Sequence, residues 1–276
     1  RPDTNIMSMK GKVVIVTGAS SGIGLACCEV FAGQGAQIVM AARNAEKLQM
    51  AAQRVSAIGG EVVAVPADVS RPADCQALVP AAVERFGRID VLINNAGISM
   101  RALFADVDLE VLHRLMDTNF WGAVYCTHYA LPYLLQSHGS VVGVSSVAGL
   151  IGLPARTGYS ASKFALDGFL KTLRVEHLHT GLHVMIAIPG FTASNIRVTA
   201  LGPDGQMQGE TPREEQQMMT AETVAKHILR GVERRKRAVV LTFEGKMADF
   251  LRRICPAWLD GLQYRFMKRE PGSPLQ

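Results

Sequence analysis

No run of apolar residues in this sequence reaches the roughly 20 that a membrane-spanning helix needs, and no secretory leader is visible at its start. Cysteine is sparse and unpatterned. Cys27, Cys28, Cys75, Cys126 and Cys255 make no CxxC spacing, and an odd count argues against a disulfide framework or a thiolate metal site. They read as small core hydrophobes of a reduced, cytosolic setting. The seven histidines, among them His113, His128, His177, His179 and His183, show no HExxH or other paired ligand spacing, so no metal site is expected. No G-x-S-x-G elbow surrounds Ser145 or Ser146, which disfavours a hydrolase. Aromatics are only 6% of the chain and no basic stripe interleaves with them, so no nucleic-acid module is found. Charged residues are only 19%, which does not suit a disordered chain. Neither an internal repeat nor a low-complexity linker divides the sequence.

What is present is apolar and alternating. With 276 residues, 48% of them hydrophobic, the chain can bury one sizeable core. Short β-rich runs at 13–17, 37–42, 61–66, 89–94, 140–146, 182–188 and 238–243 are apolar nearly throughout, as strands buried on both faces should be. Helical patterns lie between them at 23–34, 45–58, 72–86, 108–136, 158–180 and 220–236, with a last one at 245–269 interrupted at Pro256. This order predicts an α/β fold, a parallel sheet with helices on both faces. The opening "RPDTNIMSM" (1–9) reads as a frayed or tag-derived end, with Met7 or Met9 as alternative starts, and residues 10–245 form the expected main domain. The connection 189–219 is too long for a structural turn and leaves the carboxyl edge of the sheet, where ligands bind in such folds.

Chemistry-bearing residues cluster at that edge. After the first strand, "TGASSGIG" (17–24) spaces Gly18, Gly22 and Gly24 as G-x-x-x-G-x-G before a helix. Glycine permits a tight turn and close approach of backbone N–H groups to a pyrophosphate, and the helix N-terminus adds positive potential. Ser20 and Ser21 offer hydroxyl donors, and Ile23 lies at the helix start. The second strand ends at Ala42 with Arg43 and no carboxylate, which suits a ribose 2′-phosphate and so NADP(H) over NAD(H); the alternative reading is a solvated arginine. Asp68, before Val69, either accepts from an adenine amino group or caps the next helix. Within "GYSASKFAL" (158–166), Tyr159 and Lys163 stand one helical turn apart among small residues. A lysine ammonium there favours the phenolate and lowers a tyrosine pKa that is ordinarily about 10.

Several pieces in register are more specific than any one of them. "TGASSGIG" (17–24), "NNAG" (94–97), Asn119 in "MDTNF", "VSSVAG" (144–149), "YSASK" (159–163) and "PG" (189–190) come in the order and spacing of the short-chain dehydrogenases/reductases, which the chain resembles over about residues 10–243. The resemblance implies a Rossmann-type, doubly wound, seven-stranded parallel sheet and a hydride transfer between a nicotinamide and a carbonyl or secondary alcohol. It implies that Tyr159 is the acid/base and that Lys163 binds the nicotinamide ribose and lowers the tyrosine pKa. It makes Ser146 the substrate-orienting serine, with Ser145 one position off, and has Asn119 hold a water in a proton relay. Asn94, Asn95, Ala96 and Gly97 fall in the stretch that lies against the cofactor, with Asn94 mainly structural. Pro189, Gly190 and Thr192 fall by the carboxamide, with Ser194 in the register of the family's usual threonine. Two departures matter: the basic residue that many NADP-preferring members place before the middle glycine is Ser21 here, so the NADP reading rests on Arg43, and the last thirty or so residues lie outside the core pattern.

The net positive charge lies toward the C-terminal part. From Lys226 onward there are 12 Lys/Arg against 5 Asp/Glu, while the whole chain has a net charge of +5. The extension 246–276 includes "MADFLRRICPAWLDGLQYRFMKRE" (247–270), apolar on one side and basic on the other. It is expected to close the pocket, to pack on another subunit, or to touch a membrane peripherally. It loosely resembles extensions of relatives that act on lipophilic carbonyls and steroids. Met207, Met218 and Met219 read either as an adaptable apolar lid or as ordinary packing. Trp121, Phe120 and Tyr125 follow Asn119 on a helix that the resemblance makes a dimer face, so a homodimer or homotetramer is expected. Two other functions stay in view: a catalytically silent nucleotide-binding scaffold, and an epimerase or dehydratase with tightly bound NAD, which the glycine spacing and chain length disfavour.

Overall fold

The computed structural model describes residues 7–192, 196–209 and 218–275. Its first half alternates as expected: β1 (Val13–Thr17), α1 (Gly22–Ala32), β2 (Gln37–Ala42), α2 (Ala45–Ser56), β3 (Val62–Pro66), α3 (Pro72–Phe86) and β4 (Val91–Asn94). There follow α4 (Leu109–Met116), α5 (Gly122–Gln136), β5 (Ser140–Val144), α6 (Thr157–Glu176), β6 (His183–Ile188), α7 (Ala221–Glu233), β7 (Ala238–Val240), α8 (Phe243–Ile254) and α9 (Pro256–Lys268). The strands form one parallel sheet in the order β3-β2-β1-β4-β5-β6-β7. This is the doubly wound Rossmann-type architecture. The order reverses between β1 and β4, which opens a crevice at their carboxyl ends.

Side chains alternate across the sheet, so each strand feeds two cores. Val14, Val16, Ile38 and Met40 pack with α1, α2 and α7, whereas Val13, Ile15, Val39 and Leu92 pack with α3, α5 and α6. A third, smaller cluster of Met100, Val111, Leu115 and Leu201 lies beneath Tyr159. Cys27, Cys28, Cys75 and Cys126 are buried free thiols, as their composition suggested, and burial pushes Cys27 up to about 12.

Four of the departures from the sequence pattern have a clear local reason. The helix expected over 108–136 is interrupted by a wider π turn, Asp117–Trp121, which turns Asn119 inward. The fifth strand stops at Val144 because Ser146 leaves the ladder to cap a short 3₁₀ turn, Val147–Gly149, accepting from Ala148 N at 3.2 Å. The last strand ends at Val240 because Thr242 caps α8, accepting from Gly245 N at 3.1 Å. At the start, residues 1–6 lie outside the described residues, but Met9 is only 2% exposed in the first core and Met7 N donates to Glu233 O, so the frayed end expected over 1–9 does not extend that far.

Candidate active site

The crevice is stitched by its own backbone. Thr17 Oγ1 at the end of β1 accepts from Asn95 N and Ala96 N, both at 3.0 Å, and Asn95 Nδ2 donates to Thr17 O at 2.9 Å. Asn95 thus braces the glycine turn, while Asn94 points into the sheet and donates to Thr127 Oγ1. Thr17 was not singled out in the sequence, although its place immediately before the glycine turn was a usable signal. Gly18 has φ +65°, and a Cβ there would be 2.9 Å from both Ala96 Cα and Asn95 Nδ2. A Cβ on Gly24 would be driven into Gly18 O. These glycines let β1, β4 and α1 meet.

The start of α1 suits an anion. Ser21 occupies the N-cap without a side-chain cap hydrogen bond, and no acidic residue stands in the first turn. Leu25 N bonds Ser21 O, while the earlier N–H groups of the turn have no helical partner. Ser20 and Ile23 are partly exposed, and Ser21 is exposed. Arg43 is exposed just past β2, beside the glycine turn, whose Ala19 N bonds Ala41 O. Asp68 Oδ1 accepts from both Ser70 N and Ser70 Oγ, so a local turn already occupies this carboxylate. Val69 is buried beside it, close under Gly122.

The catalytic candidates converge on the other wall. Close packing sets the position of α6: Gly143 of β5 lies so near that a Cβ would overlap Leu170. Lys163 is 3% exposed; its Nζ donates to Val144 O at 2.9 Å and lies 5.8 Å from the centre of the Tyr159 ring. A Cβ on Gly97 would be 3.2 Å from Asn119 Oδ1 and 3.5 Å from Lys163 Nζ, so these groups share one small space. Asn119 Oδ1 accepts from Ile98 N at 2.8 Å, and Nδ2 donates to Ile98 O and Ser162 Oγ. Its amide is therefore spent, and any relay through residue 119 would use the main-chain carbonyl. Ser162 is a support that sequence reasoning missed. It shares α6 with Tyr159 and Lys163, and its Oγ also donates to Tyr159 O.

Burial dominates the electrostatics of the Tyr159–Lys163 pair. Burial raises the Tyr159 phenol above its ordinary value; the Ser146 hydroxyl and then the Arg156 cation pull it back, while Lys163 is not among the causes. Burial lowers Lys163 itself to about 8, against a smaller upward pull from Asp167. Burial is the largest influence on both groups, and the Lys163 ammonium donates to Val144 O.

Past β6, Pro189 is buried, Gly190 packs on Thr242, and Thr192 Oγ1 donates to Gly190 O at 3.2 Å. Ser194 lies outside the described residues. Of the loop methionines, Met207 is exposed, while Met219 bridges Thr192 and packs on the α1–α7 core, which is ordinary packing. The C-terminal helices reach this mouth. Phe266 of α9 lies 6.2 Å from Phe191, and the Glu270 carboxylate meets Arg156 Nη2 at 3.4 Å and Arg101 Nε at 3.6 Å. Among the described residues no group of side chains could hold a metal ion, and no helix is long and apolar enough to cross a membrane.

The comparisons with known proteins agree with this geometry. The family pattern described as "short chain dehydrogenase" matches residues 12–201. The chain is 35% identical over 260 residues to an Arabidopsis thaliana protein named "11-beta-hydroxysteroid dehydrogenase-like 2", covering 92% of this chain and 81% of that one. It is 35% identical over 271 residues to "11-beta-hydroxysteroid dehydrogenase A" of Sesamum indicum, covering 96% and 78%. It is 34% identical over 265 residues to mouse "Dehydrogenase/reductase SDR family member 7B", covering 94% and 81%. The chain belongs to the short-chain dehydrogenase/reductase family of oxidoreductases.

Proposed function

We propose that this protein is an NADP-dependent reductase of lipophilic ketones, with Tyr159 as the proton donor. The observation that carries the reading is the convergence of Ser146, Tyr159 and Lys163 beside the glycine turn. The residues fit a nicotinamide dinucleotide. The uncapped start of α1, with Gly18, Ser20, Ser21, Gly22, Ile23 and Gly24, suits its pyrophosphate, and Arg43 suits a 2′-phosphate. Asp68, Val69, Asn95, Ala96 and Gly97 would flank the adenine and ribose side, and Pro189, Gly190 and Thr192 the carboxamide side. When bound, the cofactor supplies the hydride.

The protein supplies the proton and the geometry. Ser146 hydrogen-bonds the substrate oxygen, and Tyr159 gives that oxygen its proton as negative charge develops. A raised phenol suits donation, because the group stays protonated at neutral pH. Ser146 and Arg156 favour the phenolate left behind, and Lys163 would hold the nicotinamide ribose and pass the returning proton toward residue 119. The names of two relatives, together with Phe191, Phe266 and the apolar cluster under Tyr159, support a lipophilic substrate.

The extension, residues 246–276, contributes in two ways in this reading. The inner face of α8–α9 closes the pocket. On α8, Phe243, Met247, Phe250 and Ile254 recur at spacings of three and four, and Trp258 and Leu262 do so on α9, all of them exposed, with Phe243 at 73%. This stripe suits contact with a second subunit or a membrane surface. Flotation with anionic vesicles at low and high salt separates the two. Trp121, stacked on Tyr125 at 5.7 Å, and the exposed Phe164 support a homodimer through α5 and α6.

Two substitutions test the central reading. Tyr159→Phe should lower turnover with a ketone panel at least a thousandfold while NADPH still binds; retained turnover at neutral pH would refute the donor role. Arg43→Ala should raise the Kd for NADPH about tenfold or more and leave NADH nearly unchanged. Equal losses would place Arg43 away from the 2′-phosphate.

A further inference from the structure

One charged group beside the site has no part in that chemistry. Asp167 lies on α6 one turn beyond Lys163; it is 2% exposed, and neither carboxylate oxygen accepts a hydrogen bond. Ser145 Oγ, at the end of β5, is also buried without a hydrogen-bond partner. It faces the carboxylate and favours its charged form without closing a bond to it. Lys171 Nζ, one turn further along α6, is 4.0 Å from Asp167 Oδ2. From α8, Arg252 also faces it, with its own guanidinium held by Asp249 at 2.7 Å. Arg174, further along α6, senses the same charge.

A carboxylate enclosed in this way costs stability, because burial removes its water and hydrogen bonds do not replace it. Burial outweighs the surrounding cations and raises Asp167 above its ordinary value. A group that harms the fold at neutral pH calls for a function, and one turn back along α6 stands Lys163. That ammonium is itself buried, with Val144 O as its acceptor.

We propose that Asp167 is a positioning residue whose buried negative charge, one helical turn beyond Lys163, keeps Lys163 charged beside Tyr159. This rests on the role given to Lys163 above. It deepens that role by making the lysine's charge depend on a buried carboxylate one turn further along α6. Lys163 sits near 8 with Asp167 pulling it upward, so loss of that pull would leave much of it neutral at working pH.

The test is Asp167→Asn, which keeps the shape and removes the charge. In the cofactor-free protein, ¹⁵N NMR titration of the Lys163 amine should show its midpoint moved down by about one pH unit or more. In alcohol oxidation the tyrosine must be a phenolate and the lysine an ammonium, so the high-pH limb of kcat/KM should move down by the same amount. The melting temperature at neutral pH should stay level or rise. A Lys163 midpoint equal to that of the unmodified protein, or a lower melting temperature with an unmoved pH profile, would make Asp167 merely structural. Should the variant not fold, the unmodified protein still decides. Its Lys163 signal must show a second inflection where the Asp167 carboxyl titrates by ¹³C NMR, and a single inflection overturns the proposal. The NMR measurements need no turnover, so an inactive protein would refute the proposed reaction without touching this inference.

Discussion

The two edges of the sheet treat buried polar groups in opposite ways. At the amino edge, Asp90 leads into β4 and is 2% exposed. Its two oxygens accept from Lys12 Nζ at 3.0 Å, Val13 N at 3.0 Å, Arg88 Nε at 2.8 Å and Arg88 Nη2 at 2.7 Å. Nearby, His183 at the start of β6 pairs with Ser140 Oγ at 2.9 Å and Lys236 O at 2.8 Å. At the carboxyl edge, Asp167, Ser145 and Asn94 Oδ1 are buried with no hydrogen-bond partner. The saturated edge holds strands in register. The carboxyl edge leaves one carboxylate, one hydroxyl and one amide oxygen unsatisfied and so able to respond to a ligand or a proton.

The contrast breaks most visibly at Asp90. Asp90→Ala leaves Val13 N–H and two cations without their acceptor at a junction of β1, β4 and β5, and should cost about 3–5 kcal/mol by denaturant titration. The pH profile of any remaining activity should not move. A loss below about 1 kcal/mol would mean that the amino edge is not where stability is concentrated.

Acid should act on the same edge. Burial, with smaller contributions from Arg235 and Arg174, lowers His183 to about 4, although the Lys236 carbonyl pulls it upward. The folded state therefore holds the ring neutral where the unfolded chain takes a proton. Its contribution is complete above about pH 6.5 and is lost as pH falls from 6.5 toward 4, by at most roughly 3 kcal/mol. His183→Gln should flatten this part of the stability curve. An unchanged slope between pH 6.5 and 4 would remove His183 from the account.

The same division explains what the sequence disclosed. Strand runs such as "VVIVT" and "QIVMAA" match β1 and β2 to the residue, because strands buried on both faces leave an apolar pattern with few alternatives. Tyr159, Lys163 and the glycine turn were legible as spacings on one helix and one loop, and Ser146 only through the family resemblance. Asn119 could be located, but the π turn around it could not, because helical periodicity hardly registers one inserted residue. Arg156, Asp167 and Glu270 were not picked out. Their significance comes from partners distant in the chain, and a lone charge on an amphipathic segment looks like a solvated one.

Glu270 sharpens the comparison because its chemistry resembles that of Asp90 while its setting differs. It too is a buried carboxylate between two cations, Arg101 and Arg156, and Arg101 Nη2 also donates to Pro271 O at 2.5 Å. But it follows the last helix, and the segment carrying it can detach without opening the sheet. Glu270→Gln should therefore lower global stability by only about 1 kcal/mol or less. The local effects should be larger: faster amide exchange over residues 256–275, and a KM for a lipophilic ketone raised about threefold, because Arg156 caps α6 beside Tyr159. The kcat should change less, since the reacting groups keep their places. A global loss as large as that of Asp90→Ala would show that the tail is part of the folding unit, and that saturation alone, whatever the edge, determines where stability resides.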